Sequence, residues 1–313
     1  MMSKEMKAES RRRLPARAPR VGFLGIGAQK CATSWLHHVL SQHPQVRASD
    51  PKELNYFTAN YDRGALWYES HFAGAGEAVI CGEASPTYFF SADAPERAHR
   101  YNPALKLIAV VRDPVARAFS NHLHEIRKGH IPEDTSFETA LAANPAYVLQ
   151  GRYRENLTRW IDRFGREALL VLVAEELSAD PAAGYAAVCA HLGVSAEAPP
   201  DDLNERKHES VSSHFPALQR GLRAGGDAAR RLGLGGMVRS VKSAPGIRGA
   251  LGLNRKDLRK TVAPMADETH AMLIEQFADD VAFVRGLLGR PLPEWRHWPP
   301  REEEDRQGMR HAV

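Results

Sequence analysis

The sequence predicts an α/β fold: a P-loop-like central parallel sheet with helices on both faces, in a single domain carrying a C-terminal lid or insertion. Three observations lead there. Short apolar runs of strand length alternate with amphipathic helical runs along the first two-thirds of the chain, the pattern of a parallel sheet covered by its crossover helices. The run Leu105–Val111 is almost wholly apolar, as a strand buried on both faces must be. Val21–Leu40 passes from an apolar strand through a small-residue turn and Lys30 into an amphipathic helix, and a helix start of this kind is suited to an anion.

The elements run in order. After the strand that begins at Val21, the residues Trp35, Leu36, Val39 and Leu40 recur at helical spacing, and Pro44 lies just past the helix. Pro51–Phe57 reads as a loop, with the aromatic residues of Tyr61–Phe72 packed beneath it. Ala78–Cys81 is a brief strand that runs out into Gly82-Glu83-Ala84-Ser85-Pro86. Ala94–Tyr101 is helical; the Leu105–Val111 strand ends at Arg112-Asp113-Pro114, and Val115–Arg127 is a helix with Pro114 in its first turn. Gly151–Phe164 is a helix with Leu157, Trp160, Ile161 and Phe164 at core spacing. Ala168–Val173 is a further strand, and Pro181–Leu192 a further helix. A weakly patterned stretch at about 212–260 is the expected lid or insertion, and Asp267–Leu288 is a final helix leading to Trp295 and Trp298. The folded part is expected over 21–298, between a disordered basic tail at 1–20 and a polar tail at 299–313.

Composition narrows the class. With 313 residues, 43% hydrophobic and 26% charged, the chain is that of a soluble globular protein. No apolar stretch approaches the roughly 20 residues that cross a bilayer. The first 20 residues hold Arg11, Arg12 and Arg13 but no apolar region, so no secretory signal is read there and a cytoplasmic location is expected. Cys31, Cys81 and Cys189 are odd in number and lack metal-ligand spacing, which points to reduced thiols and to no metal site. The pI of 9.0 is segmental. Residues 1–20 hold five arginines and two lysines against Glu5 and Glu9, and 220–260 hold eleven basic residues against Asp227 and Asp257. The remainder is acidic, so no nucleic-acid partner is expected.

The turn around Lys30 departs from a nucleoside-triphosphatase loop. That loop needs Gly-Lys-[Ser/Thr], with the hydroxyl directly after the lysine on Mg²⁺. Here Gln29 precedes Lys30, and Cys31 and Ala32 separate it from Thr33 and Ser34. The cradle therefore suits a phosphate or sulfate without the metal. Arg112 at a strand end and Ser120 on the next helix can hold a second anion, because Arg offers a planar fork of donors and Ser a hydroxyl. Lys52-Glu53 supplies a carboxylate in the loop after the first helix. Two separated anion sites fit a nucleotide with anionic groups at both 5′ and 3′ positions.

These segments resemble the sulfotransferases that use 3′-phosphoadenosine 5′-phosphosulfate (PAPS), and among them the heparan sulfate sulfotransferase-like branch with its bacterial relatives. The resemblance rests on Gly27-Ala-Gln-Lys-Cys-Ala-Thr-Ser-Trp-Leu36, His43-Pro44, Pro51-Lys-Glu-Leu-Asn-Tyr-Phe57, Gly82-Glu-Ala-Ser-Pro-Thr-Tyr-Phe89, Leu107 through Ser120, and Gly151 through Glu176. It covers about 20–195. It implies PAPS as co-substrate, no metal, and in-line transfer of a sulfuryl group to a hydroxyl, or secondarily an amine, of a glycan, lipid or small-molecule acceptor. By the same resemblance Glu53 is the general base, and Lys30 follows the charge on the departing oxygen. Cys31, Ala32, Thr33, Ser34 and Trp35 complete the 5′ pocket, whose amides span 28–34; Arg112 and Ser120 take the 3′-phosphate, and Lys207 meets the nucleotide's 3′ side. The sequence departs from the glycan-acting members at Ala84, where they carry a lysine, and at Asn55 and Thr58, where some carry a histidine and an aspartate.

Several expectations stay open at the level of sequence. Glu53 is expected to be held ionised by Lys52 and embedded near Tyr56 and Phe57. Those rings, with Tyr61, Trp67, Tyr88 and Phe89, either line an acceptor cleft or pack in the core. His37 and His38 read as surface or packing residues, and His122 and His124 as candidates for substrate contact. A P-loop kinase or nucleotidase, with Asp113 on Mg²⁺, is the alternative enzyme, and a non-catalytic nucleotide-binding protein the alternative outside catalysis.

Overall fold

The computed structural model describes residues 20–74, 80–197, 199–203, 211–213 and 255–298. The tails, Lys207 and most of the expected lid lie outside the described residues. The chain divides into two compact units, each discontinuous in sequence.

The first unit, residues 1–114, 150–205 and 277–313, is built on the predicted parallel sheet. Its strands are β1 (Phe23–Gly27), β2 (Val46–Ala48), β3 (Ile80–Ala84), β4 (Lys106–Val111) and β5 (Leu169–Val173), in the order β2-β3-β1-β4-β5 and parallel throughout. Successive side chains on a strand point to opposite faces, and the core divides accordingly. Phe23 and Ile108 pack on one face with Leu36, Val39 and Leu40 of α1 (Thr33–Ser41) and Tyr185, Val188 and Leu192 of α9 (Pro181–Leu192). Leu24, Leu107 and Ala109 pack on the other with Ala98 of α3 (Ala94–Tyr101), Leu157 and Trp160 of α7 (Tyr153–Phe164), and Val281 and Val284 of α11 (Asp267–Leu288). The helix bounds predicted for α3, α9 and α11 are those observed. The start of α7 moves to Tyr153. Three short elements carry no clear sequence signal: β2, α2 (Gly64–Ser70) and α8 (Ala174–Ala179).

Small residues let the strands and the first turn approach. A Cβ at Gly82 would lie 2.3 Å from the Phe23 ring, and one at Gly27, whose φ is +132°, would lie 2.7 Å from Phe89 Cβ. The chain leaves β1 toward β2 and leaves β4 toward β5, so the connections diverge beyond the carboxyl ends of two neighbouring strands. In open α/β sheets that divergence is where ligands bind.

The second unit comprises residues 115–149 and 206–276. It contains most of α4 (Pro114–Lys128), with α5 (Phe137–Ala143), α6 (Ala146–Leu149), α10 (Leu258–Thr261) and the first part of α11. Leu123, Ile126 and Leu258 form its apolar centre. Two strands within the expected lid, β6 (Val211–Ser213) and β7 (Arg255–Asp257), pair antiparallel.

Candidate active site

The first unit gathers three predicted segments along the carboxyl edge of its sheet. β1 is flanked by β3 on one side and β4 on the other, so the turns leaving β1 and β4 are neighbours, and the loop leaving β2 is bonded to the end of β3 through Leu54 N–H to Glu83 Oε2 at 3.1 Å and Asn55 N–H to Ser85 Oγ at 3.0 Å. The turn after β1 carries Lys30, with Lys30 and Ala32 both at positive φ. Ala32 stands at the N-cap of α1 and offers no side chain to cap it, and the first turn has no acidic residue. That leaves the Thr33 and Ser34 amides as first-turn donors, which an α-helix cannot satisfy internally. Other donors of the turn are committed: Ala28 N–H donates to Val110 O at 2.8 Å, Gln29 N–H to Gln150 Oε1 at 3.2 Å, and Trp35 N–H to Ala32 O at 3.0 Å. The amide pocket expected over 28–34 is therefore shorter at its start. The Trp35 indole donates to Leu203 O at 3.2 Å. Cys31 is fully buried, with its thiol 3.6 Å from Gln29 O.

Glu53 stands in the loop beside β3. Its carboxylate pairs with Lys52, as expected, and is 46% exposed. The expectation that Tyr56 and Phe57 enclose it is corrected: both rings turn inward, Tyr56 stacking on Tyr68 with centroids 4.3 Å apart. Tyr88 and Phe89 are likewise core residues. Glu53 and Asn55 both take positive φ, at 64° and 51°, and the Asn55 side chain donates to Glu53 O at 2.9 Å while accepting from Thr87 Oγ1 at 2.6 Å. His37 on α1 is half-buried, and burial, reinforced by the Lys52 charge, brings its pKa down to about 4 against the pull of Asp50 and Glu53. It faces the Lys52–Glu53 pair as a neutral imidazole at neutral pH.

Arg112 comes directly after β4. Its backbone is clasped by Tyr153, whose hydroxyl accepts from Arg112 N at 3.3 Å and donates to Arg112 O at 2.6 Å. Glu175 meets the guanidinium at Nε across 3.8 Å. Glu175 in turn accepts from Asp113 N at 3.1 Å and from the Trp295 indole at 3.2 Å. Burial raises the Glu175 carboxyl, and Arg112 acts against that rise. Asp113, the Mg²⁺ ligand of the kinase alternative, is buried and bonded to the His297 ring. Nothing in the sequence near His297 marks it as a partner of this strand end.

Ser120 lies buried on α4 in the second unit. His122 is fully buried there among Phe119, Phe137 and Tyr147, which corrects its place as a candidate for substrate contact. His124 is half-buried with its ring 3.0 Å from Arg127. His38, read as a surface or packing residue, meets Asp202 at 2.9 Å. Lys207 falls outside the described residues.

The carboxyl edge of this α/β sheet thus presents a helix start after β1, an arginine after β4 and an exposed carboxylate in the loop beside β3. The chain belongs to the sulfotransferase domain family, whose sequence model matches residues 23–216, and it is an enzyme of that family. It is 30% identical over 222 residues to human heparan sulfate glucosamine 3-O-sulfotransferase 6, covering 66% of this chain and 60% of that protein. It is 31% identical over 193 residues to human bifunctional heparan sulfate N-deacetylase/N-sulfotransferase 2, covering 55% of this chain and 22% of that protein. The match thus spans less than two-thirds of either relative. The crystal structure of a sulfotransferase from Alicyclobacillus acidocaldarius is similar with a TM-score of 0.64 and 26% identity, over 89% of this chain and 99% of that one. Among the described residues, no helix is long and apolar enough to cross a membrane.

Proposed function

We propose that this enzyme transfers a sulfuryl group from PAPS to a hydroxyl of a glycan, with Glu53 as general base and Lys30 at the leaving group. The observation that carries the reading is the order along the sheet edge: the Glu53 loop beside β3, the Lys30 turn on β1, Arg112 on β4. A donor with anionic groups at 5′ and 3′ would use the Lys30 turn and Arg112 together. The relatives' printed names support a glycan acceptor, and a hydroxyl is taken as the acceptor group because the 3-O-sulfotransferase match is the longer, 222 residues against 193 for the N-sulfotransferase.

The residues present fit this donor. The Thr33 and Ser34 amides and the Lys30 charge suit the 5′ phosphosulfate, and the planar fork of Arg112 suits a 3′-phosphate. Sulfuryl transfer, like phosphoryl transfer, depends mainly on positioning and charge stabilisation. Glu53 takes the proton of the acceptor oxygen as that oxygen attacks sulfur, and Lys30 balances the charge that grows on the departing phosphate oxygen. Exposure of the Glu53 carboxylate is what an incoming acceptor requires.

The test is calorimetric binding of PAPS and ATP, followed by transfer of labelled sulfate to a panel of heparan-type glycans, lipids and phenols. PAPS is expected to bind more tightly than ATP. Lys30→Ala should weaken PAPS binding, and Glu53→Gln should spare binding while lowering kcat on the order of 10²-fold or more. Equal affinity for ATP and PAPS, or unchanged kcat in Glu53→Gln, would overturn the reading; exclusive turnover of lipids or phenols would overturn the glycan assignment.

A further inference from the structure

We propose that Glu83 is the positioning residue for Glu53: a buried carboxylate that, through Ser85 and Tyr88, sets the backbone of the loop on which the base stands. The proposal rests on the reading of Glu53 as the base. It starts from an oddity of the loop. Glu53 and Asn55 both have left-handed φ. A residue with a Cβ takes that conformation at a cost of order 1 kcal/mol or more. Asparagine tolerates it; glutamate has no short polar side chain to offset the cost. Two such residues two positions apart persist only where the surroundings over-determine them.

Glu83 supplies that determination. It is 1% exposed at the end of β3. Its Oε2 accepts the Leu54 N–H at 3.1 Å, the amide directly after Glu53. Ser85 Oγ accepts the Asn55 N–H at 3.0 Å and donates its own hydrogen to Glu83 Oε2 at 2.5 Å. Tyr88 Oη accepts the Tyr56 N–H at 2.7 Å and donates its hydrogen to Glu83 Oε1. Three consecutive amides are thus captured by one carboxylate, one directly and two through hydroxyls. Ser85 N–H also donates to Gly25 O at 3.0 Å, so the same network fastens the loop to β1, the strand that delivers Lys30.

The groups around Glu83 suit an acceptor at the centre. Ser85 Oγ accepts one loop amide, and Tyr88 Oη accepts Tyr56 N–H and, at 3.4 Å, Phe57 N–H, while both hydroxyls donate to Glu83. With the Leu54 N–H, three donors converge on one side chain. An ionised carboxylate accepts all three; an amide or a protonated acid would oppose one of them with a hydrogen of its own. Burial pushes the Glu83 carboxyl up, and the bonds from Ser85, Tyr88 and Leu54 work against that push. A glutamine of the same shape would therefore break at least one of the three bonds that hold the side chain to the loop.

Glu83→Gln is expected to lower kcat about 10-fold or more, to leave affinity for 3′-phosphoadenosine 5′-phosphate within about 2-fold, and to speed amide hydrogen exchange at residues 54–56. Ser85→Ala and Tyr88→Phe remove one relay each and should do the same more mildly, which keeps the test open if Glu83→Gln folds poorly. In the double variant with Glu53→Gln, no further loss of kcat is expected, because Glu83 acts only through Glu53. Multiplying losses would overturn the proposal, as would unchanged exchange at 54–56 in all three variants. If Glu53→Gln alone keeps full kcat, the base assignment fails, while the exchange measurement still decides whether Glu83 sets the loop.

Discussion

His297 Nδ1 lies 2.5 Å from Asp113 Oδ2, joining the segment after α11 to the residue next to Arg112. The two are 184 positions apart, yet the contact closes the edge of the sheet where β4 ends. The hydrogen bond to Asp113 raises the His297 pKa, outweighing the burial that lowers it. A histidine with a raised folded value binds protons more readily when folded, so its stabilisation is complete below about 6.5 and fades as pH climbs through the raised value. His297→Gln should therefore cost more stability at pH 6 than at pH 8.5. Thermal melts of both proteins across that range check it, and a cost independent of pH would contradict it.

The turn that carries Lys30 depends on Gly27. Its φ of +132° is disfavoured for any side chain, and an added Cβ would lie 3.1 Å from Pro86 O as well as against Phe89. Gly27→Ala is expected to destabilise the protein by roughly 1–3 kcal/mol and to weaken PAPS binding beyond what lost stability explains. Denaturant melts and calorimetry on the same sample separate the two effects; wild-type affinity would show that the turn tolerates the shift.

Much of this was legible in the sequence, for reasons particular residues make plain. The bounds of α9 are marked by Asp180, which caps the Ala183 amide at 2.9 Å, by Pro181 at the first position, and by Gly193 in the left-handed conformation. β4 announces itself because both faces are buried. β2 has three residues at the sheet edge and only Val46 buried, too little to show a period. At the site, Lys30, Glu53 and Arg112 stand where strand ends put them. Tyr56 and Phe57 were ambiguous because adjacency to Glu53 in sequence does not say which way a ring turns, and left-handed backbone at Glu53 and Asn55 sends them inward. Glu83 and His297 act through partners that the sequence does not bring near, although a glutamate at the end of an apolar strand was visible.

Arg112 should discriminate by its fork. Glu175 pairs with it at Nε, across 3.8 Å, and the planar fork of terminal nitrogens is what suits a 3′-phosphate. Arg112→Lys keeps the charge and loses the bidentate geometry. Affinity for 3′-phosphoadenosine 5′-phosphate is expected to fall about 10-fold or more, at about 1.5–3 kcal/mol for a hydrogen bond to a charged group, while affinity for adenosine 5′-phosphate changes little. Calorimetry with both nucleotides reads the ratio, and equal losses for the two would remove Arg112 from the 3′ site.

His37 gives the opposite pH signature to His297. Its folded pKa of about 4 lies below the ordinary 6.5, with burial first and Lys52 second as causes. Between those values the unfolded chain binds the proton and the folded one does not, so stability falls as pH drops from about 6.5 toward 4. His37→Gln removes that titration and should flatten the acid side of the melting curve relative to wild type. Lys52→Met should flatten it partly, since losing the lysine charge lets the His37 value rise toward normal. Melts at half-unit steps from pH 7 to 4.5, with the imidazole followed by NMR, test both; parallel curves for wild type and His37→Gln would show that the ring titrates in the folded protein as it does in the unfolded chain.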